Sequence, residues 1–213
     1  VTAQRRAESM QRVPIAITAI TAGQLSDSGV RTSEDIALLT PGLTMTRGRN
    51  SVLPYLRGIG TRTALPGMEN AVATYIDGVY IASQAGSAFA LADVERVEVL
   101  KGPQGTLFGR NATGGLLHAI TKTPTQDLTL DASVGFGNYD TTTASLYVAG
   151  GLRDNVAGSI ALYANQQGDG WGTNFYRGNP VNRSREGGGR AKLVADFTDL
   201  IRAAGYGDPL PEE

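Results

Sequence analysis

Residues 101–115, KGPQGTLFGRNATGG, form the most informative stretch of this sequence. The stretch contains five glycines, a density that predicts positive φ angles or close backbone packing. A phosphate-binding loop is the chemical alternative, but no Gly-Lys-Ser/Thr follows and no G-x-G-x-x-G is present. The residues therefore favour a structural glycine-rich turn over a nucleotide site.

The residues that precede this turn mix helical and strand signals. Two stretches, 21–24 and 32–35, have capping-box spacing and predict two short helices. Gly29 and Pro41-Gly42 supply the ends of these helices. An Asp-Gly pair at 77–78 predicts a tight hairpin. Strand-like stretches are found at residues 13–20, 54–58, 72–76 and 97–100. The first part of the chain is therefore predicted to be a small α+β domain.

After Pro124 the apolar pattern changes to a period of two. Apolar residues alternate with polar or small ones over residues 128–136, 156–164 and 190–197, and more weakly over 142–149. The first run has about the length of a membrane-spanning β-strand. This period fits either a soluble antiparallel meander or the start of a transmembrane β-barrel. The short turn at 150–155 and the long polar loop at about 166–184 favour the barrel, whereas the short turn at 137–140 does not.

The composition excludes several classes of function. Lys plus Arg total 19 and Asp plus Glu total 20, so the charge balance gives no reason to expect nucleic-acid binding. The absence of cysteine excludes thiol nucleophiles and disulfides, and a single histidine excludes a His-rich metal site. No apolar run reaches the ~18 residues of a transmembrane helix. The opening VTAQRR is not followed by the apolar segment of a signal peptide.

The polar residues that could carry chemistry have simpler structural explanations. His118, within the apolar string LLHAIT, is expected to be packed and hydrogen-bonded rather than to act as a base or ligand. Asp77 is expected to form its turn, and Glu95 and Glu98 are expected to be solvated or paired with Arg96. No Ser-His-Asp set is compelling, because His118 is the only candidate base. We therefore predict no catalytic residues, no metal site and no enzyme activity.

The string at 101–115 closely resembles the signature of TonB-dependent receptor plugs. Further matches follow in the order of the family: VPIAITAI at 13–20, PGL at 41–43, PYLRGIG at 54–60, VATYIDGVY at 72–80, LADVERVEVL at 91–100 and ITKTP at 120–124. The opening VTAQRR resembles the end of the family's Ton box and the residues after it. One position departs from the pattern, because His118 stands where the family usually has Asn.

The resemblance implies a fold. Residues 1–125 are expected to form the plug, an α+β domain with a small mixed sheet and short helices. Residues 126–198 are expected to form about four antiparallel strands of an incomplete ~22-stranded transmembrane barrel, of the kind that encloses a plug in outer-membrane transporters. Residues 199–213 lose the strand pattern and are expected to be a divergent or truncated tail.

The resemblance also implies a function. Such receptors take up scarce nutrients, chiefly ferric siderophores, across the outer membrane of Gram-negative bacteria, and the plug gates the passage. The expected partners are TonB with its inner-membrane energising complex, the ferric siderophore and the outer-membrane lipid around the full barrel. No cofactor and no nucleic acid are expected. Two alternatives stay open: a free-standing periplasmic plug-like binding domain, and a gene fragment that does not transport.

The residues that the resemblance assigns to sites fall into three groups. The partial Ton box, which is expected to contact TonB, comprises Val1, Thr2 and Ala3. The plug motif comprises Arg57, Gly58, Asp77, Gly78, Lys101, Gly102, Pro103, Gly105, Gly109, Gly114 and Gly115. The apical loops that are expected to meet substrate contain Arg62, Met68, Glu69, Asn70, Gln84 and Phe89. Arg57 and Lys101 also match basic positions that face acidic barrel residues in relatives.

Overall fold

The structure, a computed structural model, describes residues 15–48, 51–62, 65, 67–84 and 89–195. The chain forms two compact units that divide between Lys122 and Thr123. No helix in the described ranges is long and apolar enough to cross a membrane. The partial Ton box and the predicted tail at 199–213 lie outside the described residues.

The described part of the first unit is built around a mixed β-sheet. Its strands are β1 (Ala16–Thr21), β2 (Leu43–Arg47), β3 (Val52–Leu56), β4 (Ile59–Gly60), β5 (Val72–Ile76), β6 (Val79–Tyr80), β7 (Val94–Lys101) and β8 (Gly115–Thr121). Five of them form a sheet in the order β1-β7-β8-β5-β6, in which only the β5–β8 pair is parallel. The strands β2, β3 and β4 form a separate antiparallel sheet. The predicted small mixed sheet is confirmed.

Short helices connect these strands. They are α1 (Ala22–Asp27), a 3-10 turn (Ser33–Asp35), α2 (Ile36–Leu39) and α3 (Gly105–Phe108). At α1 the Gln24 N–H donates to Thr21 Oγ1 at 3.4 Å, and the Thr21 N–H donates to Gln24 Oε1 at 3.0 Å. Thr32 likewise donates its N–H to Asp35 Oδ2 at 3.0 Å, so both predicted helix starts are confirmed. The sequence did not predict α3, because a glycine at its start is a poor helix former.

The five-stranded sheet is packed on both faces. Alternate residues of its central strands belong to two different buried clusters, with Val97, Val99, Leu117 and Ala119 in one and Leu100 and Leu116 in the other. Ile36 of α2 joins the first cluster and Phe108 of α3 joins the second. Full burial of a large apolar side chain contributes about 1.5–3 kcal/mol. Alternation of apolar residues between two covered faces therefore stabilises this sheet.

The second unit is an antiparallel meander. Its strands are β9 (Thr129–Gly137), β10 (Thr141–Arg153), β11 (Val156–Gln167) and β12 (Ser184–Ala195). They pair in the order β12-β11-β10-β9, so β9 and β12 are the edges of an open sheet within the described residues. This arrangement confirms the predicted run of antiparallel strands that does not close.

Two predicted boundaries in this meander are wrong. β10 continues to Arg153, through most of the short turn predicted at 150–155, and only Asp154-Asn155 separates it from β11. β12 begins at Ser184, several residues before the period-two pattern predicts. The ring of Tyr163 on β11 occupies the space that a side chain at Gly188 would need. Residues 187–189, in the early part of β12, are all glycine, so the alternation of apolar and polar side chains that marks a strand is missing there.

The two faces of the meander differ in chemistry. One face carries large apolar side chains that remain 49–84% exposed, namely Leu130, Val134, Phe136, Ile160, Leu162 and Leu193. The opposite face carries Ser133 and Ser145, whose hydroxyl oxygens lie 2.7 Å apart, and a buried cluster that includes Tyr147. A soluble meander would bury its apolar face in a core. An exposed apolar face is instead typical of strands from a membrane barrel.

Candidate functional site

The loops that carry most of the predicted substrate residues meet at one end of the five-stranded sheet. Lys101 at the end of β7 pairs with Gly115 at the start of β8, and Val72 at the start of β5 pairs with the same glycine. The loops that lead into β5 and β8 therefore lie side by side. We call this the Gly115 end, and we call the opposite end, which carries the Asp77-Gly78 turn, the Asp77 end.

Glu69 links these loops at the Gly115 end. Its Oε1 accepts a hydrogen bond from Arg110 Nη2 at 3.2 Å, and its Oε2 accepts one from Asn111 Nδ2 at 2.5 Å. Asn111 Nδ2 also donates to the hydroxyl oxygen of Tyr80 at 3.0 Å, which joins a third segment. The side chain of Arg110 is 84% exposed and that of Glu69 is 28% exposed. The pair therefore presents a cation to solvent with its carboxylate behind it.

Sequence reasoning missed three residues of this cluster: Tyr80, Arg110 and Asn111. Asn111 has a φ of 74°, a left-handed conformation that asparagine tolerates better than most residues. An asparagine inside a glycine-rich loop was the one signal that could have pointed to it. Burial raises the pKa of Tyr80 above its ordinary value, and the hydrogen bond from Asn111 partly offsets this effect.

A second pair of side chains fills the interior of the Gly115 end. Gln84 Nε2 donates to Asn70 Oδ1 at 3.2 Å, and each residue is 8% exposed. Nearby, Thr61 Oγ1 accepts from the Ala71 N–H at 3.0 Å. These bonds hold the loop before β5 against the segment that follows β6. Asn70 and Gln84 therefore support the loops from inside rather than facing solvent.

The remaining predicted substrate residues lie in two different places. Arg62 and Met68 are exposed at the Gly115 end. Phe89 lies elsewhere, because its N–H donates to Ser33 Oγ at 3.2 Å and its carbonyl oxygen accepts from the Ser33 N–H at 2.9 Å. Its ring packs against the buried cluster that contains Ile36. The structure thus brings the other candidates together and places Phe89 beside the core.

The glycine-rich loop between β7 and β8 is held by its own backbone. The Gly102 N–H donates to the carbonyl oxygen of Gly114 at 3.2 Å, and the Gln104 N–H donates to that of Ala112 at 2.8 Å. Gly102 and Gly109 have φ angles of 105° and 73°. A phosphate-binding loop directs such N–H groups at its ligand. Here they are used to fold the loop itself.

Arg57-Gly58 and Asp77-Gly78 form two turns of the same kind. The first joins β3 to β4 and the second joins β5 to β6, each as a two-residue hairpin loop. The φ angles are 52° and 81° in the first turn and 48° and 79° in the second. Positive φ at both positions is the type I′ pattern that suits a tight hairpin. The predicted Asp-Gly hairpin is confirmed.

Polar side chains fasten the Asp77-Gly78 turn to β8. The Asp77 carboxylate accepts from the Thr121 N–H at 2.8 Å and from Thr121 Oγ1 at 2.5 Å. His118, which is 7% exposed, accepts from the Gly78 N–H through Nε2 at 3.0 Å. The prediction that His118 is packed and hydrogen-bonded is confirmed.

Arg96 on β7 lies between two carboxylates. Its Nε donates to Glu98 Oε1 at 2.9 Å and its Nη1 donates to Glu95 Oε1 at 2.6 Å. Burial acts to lower the pKa of Arg96, but the hydrogen bond and the charge of Glu98 outweigh it, and the pKa is raised. The predicted internal pairing is confirmed, and it is an ion-pair network rather than a pair of carboxyl groups free for acid–base work.

The chemistry available at the Gly115 end is non-covalent binding. The exposed guanidinium groups of Arg62 and Arg110 outnumber the one carboxylate of Glu69 in these loops. Such a surface suits an anionic or polar ligand. Among the described residues, no group of three or more His, Cys, Asp or Glu side chains is placed to hold a metal ion.

Several known proteins are similar to this chain. Residues 9–116 match the family model described as TonB-dependent Receptor Plug Domain. The pesticin receptor of Yersinia pestis is 32% identical over 149 residues, which cover 70% of this chain and 22% of that receptor. The ferripyoverdine receptor of Pseudomonas aeruginosa is 31% identical over 168 residues, 76% of this chain and 20% of that receptor. The solved structure of the ferric yersiniabactin uptake receptor FyuA from Yersinia pestis matches with a TM-score of 0.81 at 28% identity, covering 93% of this chain and 32% of FyuA.

Proposed function

This chain belongs to the family of TonB-dependent receptor plug domains, and on that premise we propose that it is the plug-bearing part of an outer-membrane receptor for a scarce nutrient. One observation carries the proposal: a plug-type mixed sheet is followed by antiparallel strands whose apolar face is exposed. Because the similar proteins reported above are receptors, we propose no enzyme activity. The proposed location is the outer membrane of a Gram-negative bacterium.

A ferric siderophore is the substrate class that we propose. Two similar proteins are a ferric yersiniabactin uptake receptor and a ferripyoverdine receptor. Many ferric chelates present anionic oxygen donors, which the exposed guanidinium groups of Arg62 and Arg110 are suited to pair with. Met68 adds an exposed apolar side chain at the same end, and Glu69 orients Arg110. Phe89 packs beside the core, so we do not include it in the proposed contact surface.

The strands β9 to β12 are proposed to be part of a ~22-stranded barrel whose apolar face contacts outer-membrane lipid. β9 and β12 each have one hydrogen-bonded neighbour among the described strands. An unsatisfied backbone group in lipid costs several kcal/mol, and sheet edges therefore need partners there. We propose that this sheet works within a longer receptor that supplies those partners.

TonB, with its inner-membrane energising complex, is the proposed partner that drives uptake. The proposed contact is the partial Ton box at Val1, Thr2 and Ala3, which lies outside the described residues. Recognition by strand addition would place this extended segment along an edge strand of TonB. Each main-chain hydrogen bond made in this way contributes roughly 0.5–1.5 kcal/mol.

Uptake of labelled iron tests the proposed substrate and energy source together. The longest reading frame that contains this chain is expressed in a Gram-negative host that lacks its own ferric-siderophore receptors, with and without a functional TonB. Cells are given iron-55 as ferric yersiniabactin or ferric pyoverdine, with labelled cobalamin as the comparison substrate. Iron is expected to accumulate from at least one chelate, and only in cells with TonB. Arg62→Gln is expected to raise the half-saturating concentration, whereas Arg31→Gln, which alters an exposed arginine outside the Gly115 end, is not.

Each other outcome removes a defined part of the proposal. Uptake of cobalamin without iron would replace the substrate class and keep the receptor. Iron uptake that is equal without TonB would remove TonB as the energy source. Failure to take up any of the three substrates, with the protein present in the outer membrane, would contradict the proposed receptor function.

A further inference from the structure

His118 is the one histidine of the sequence, and the hydrogen bond that it makes defines its protonation state. Its Nε2 accepts from the Gly78 N–H at 3.0 Å, so this nitrogen carries no proton. The proton of the neutral ring is therefore on Nδ1, which has no hydrogen-bond partner among the described residues. A second proton on the ring would bring two N–H donors face to face at Gly78.

The bond from Gly78 is one of several that fasten the β5–β6 hairpin to β8. The Asp77 N–H donates to the carbonyl oxygen of Ala119 at 3.0 Å, and the Asp77 carboxylate accepts from the backbone and the hydroxyl of Thr121. All of these partners lie on β8. Among the groups in these bonds, the imidazole alone has an ordinary pKa near neutral pH.

We propose that His118 is a pH-sensitive fastening of the plug: protonation of its ring releases the Gly78 N–H and loosens the Asp77-Gly78 turn from β8. The fastening consists of the titratable acceptor His118 Nε2, the Gly78 N–H as its single backbone donor, and the tight turn that contains Gly78. It is independent of the substrate and of TonB, and it goes beyond the proposed uptake function.

The charged and titratable groups around the ring come from three elements. β7 contributes Glu98, which is fully buried and engaged by Arg96 at 2.9 Å, and Arg96 itself. The turn contributes Asp77, whose carboxylate is already bonded to β8. β5 contributes Tyr75, whose ring centroid lies 6.3 Å from that of His118. Both carboxylates therefore already have hydrogen-bond partners, and either one would have to give up a partner before it could accept a hydrogen bond from a protonated His118 ring.

Burial dominates the balance of these effects. It lowers the pKa of His118 below its ordinary value of 6.5, Glu98 and Asp77 act in the opposite direction, and Arg96 lowers the pKa further. Since the folded chain prefers the neutral ring, the stabilisation from His118 is fully present above about pH 6.5. It is lost as the pH falls from there through the lowered pKa of the folded state. The fastening therefore opens in acid and closes at neutral pH.

Nuclear magnetic resonance of the full 213-residue chain in detergent micelles tests this directly. Because the sequence has one histidine, every imidazole signal belongs to His118. We expect a neutral ring with its proton on Nδ1, a titration midpoint below 6.5, and a Gly78 amide shift that follows the same midpoint. Protection of the Gly78 amide from solvent exchange should fall roughly fivefold, as expected for loss of one ordinary hydrogen bond. The Gly58 amide, in the matching Arg57-Gly58 turn without a histidine, should show no such midpoint.

A glutamine at this position provides the matched variant. The side-chain oxygen of His118→Gln can accept from the Gly78 N–H but does not titrate, so the protection of that amide should become independent of pH over this range. A Gly78 amide that ignores the titration of His118, a His118 midpoint above 6.5, or an unchanged pH dependence in the glutamine variant would each overturn the proposal. If the variant does not fold, the titration of the unmodified chain still decides.

Discussion

Arg57 and Asp77 occupy the same position in two turns of the same kind, but their side chains have different roles. Both have positive φ, at 52° and 48°, where any residue with a Cβ is strained. Asp77 accepts two hydrogen bonds from Thr121, whereas the side chain of Arg57 is exposed. Aspartate also tolerates the left-handed region better than arginine does. The Asp77 side chain therefore stabilises its turn through hydrogen bonds, whereas the Arg57 side chain makes no such contribution to the Arg57-Gly58 turn among the contacts described above.

Replacing each of these residues by alanine should separate the two roles. Asp77→Ala removes two hydrogen bonds to a charged acceptor and should lower the free energy of unfolding by about 2 kcal/mol or more. Arg57→Ala exchanges one strained residue for another and should change it by less than about 1 kcal/mol. Denaturant titration of the full chain measures both variants under the same conditions. A loss of several kcal/mol for Arg57→Ala would show that Arg57 has a structural partner within this chain.

At the scale of elements, the loop between β7 and β8 depends on two glycines of different kinds. Gly115 has a φ of 136°, and a Cβ there would overlap the carbonyl oxygen of Leu100 and a methyl group of Leu56. Gly105, at the start of α3, has no atom near the position of a Cβ and no positive φ. Glycine is therefore required for steric reasons at position 115, whereas no steric reason requires it at position 105.

Alanine scanning of these two glycines is expected to give opposite signs. Gly115→Ala should destabilise the chain by at least about 2 kcal/mol, because a strained φ and an overpacked site each cost about 1–3 kcal/mol. Gly105→Ala should be neutral or should stabilise the chain by up to about 1 kcal/mol, because alanine favours a helix and restricts the unfolded chain. Thermal or denaturant unfolding of the two variants is the measurement. Equal destabilisation by both would mean that the loop is constrained as a whole rather than at Gly115.

The elements that sequence reasoning predicted are those with local signals. The capping boxes at Thr21 and Thr32 and the Asp77-Gly78 turn depend on residues at most a few positions apart, and all three are confirmed. Glu69 was predicted to lie in a substrate loop, but its role in linking that loop to the glycine-rich loop could not be predicted, because its partner Asn111 is 42 residues away in the chain. Phe89 falls within a loop by resemblance, but its contacts are with Ser33, 56 residues earlier. Long-range pairing is what a single sequence leaves undetermined.

At the scale of the whole molecule, the meander has its apolar face exposed. Val134 and Ser133 are neighbours on β9 that point to opposite faces, and Leu162 and Tyr163 are such neighbours on β11. The period of two was visible in the sequence, but by itself it fitted a soluble meander as well as a membrane barrel, and the turn and loop lengths favoured the barrel only in part. A soluble meander buries its apolar face and a barrel strand exposes it, so the exposure seen in the structure favours the barrel. The sequence alone could not show this exposure, because it depends on which other parts of the fold cover the sheet.

Spin labels on these neighbours should report the two environments. The 213 residues contain no cysteine, so a cysteine introduced at one of the four positions is the only thiol in this part of the receptor. In the lipid-reconstituted receptor, labels at Val134→Cys and Leu162→Cys should collide more with oxygen, which concentrates in lipid. Labels at Ser133→Cys and Tyr163→Cys should collide more with a water-soluble nickel chelate. Equal access of the nickel chelate to all four labels would contradict a lipid-facing sheet.

Because the loop between β11 and β12 is long, the two ends of the meander differ in how readily they would accept an inserted peptide. The loop base is tied by the Gly168 N–H to Asp140 and by the Asp169 N–H to Tyr139, while Phe175 and Tyr176 at its tip are 100% exposed. At the other end, only Asp154-Asn155 separates β10 from β11. Exposed loop tips accept foreign sequence most readily. A peptide spliced between Phe175 and Tyr176 would extend the loop tip and leave the β11–β12 strand ladder undisturbed, which makes this loop the better place in the meander for an inserted tag.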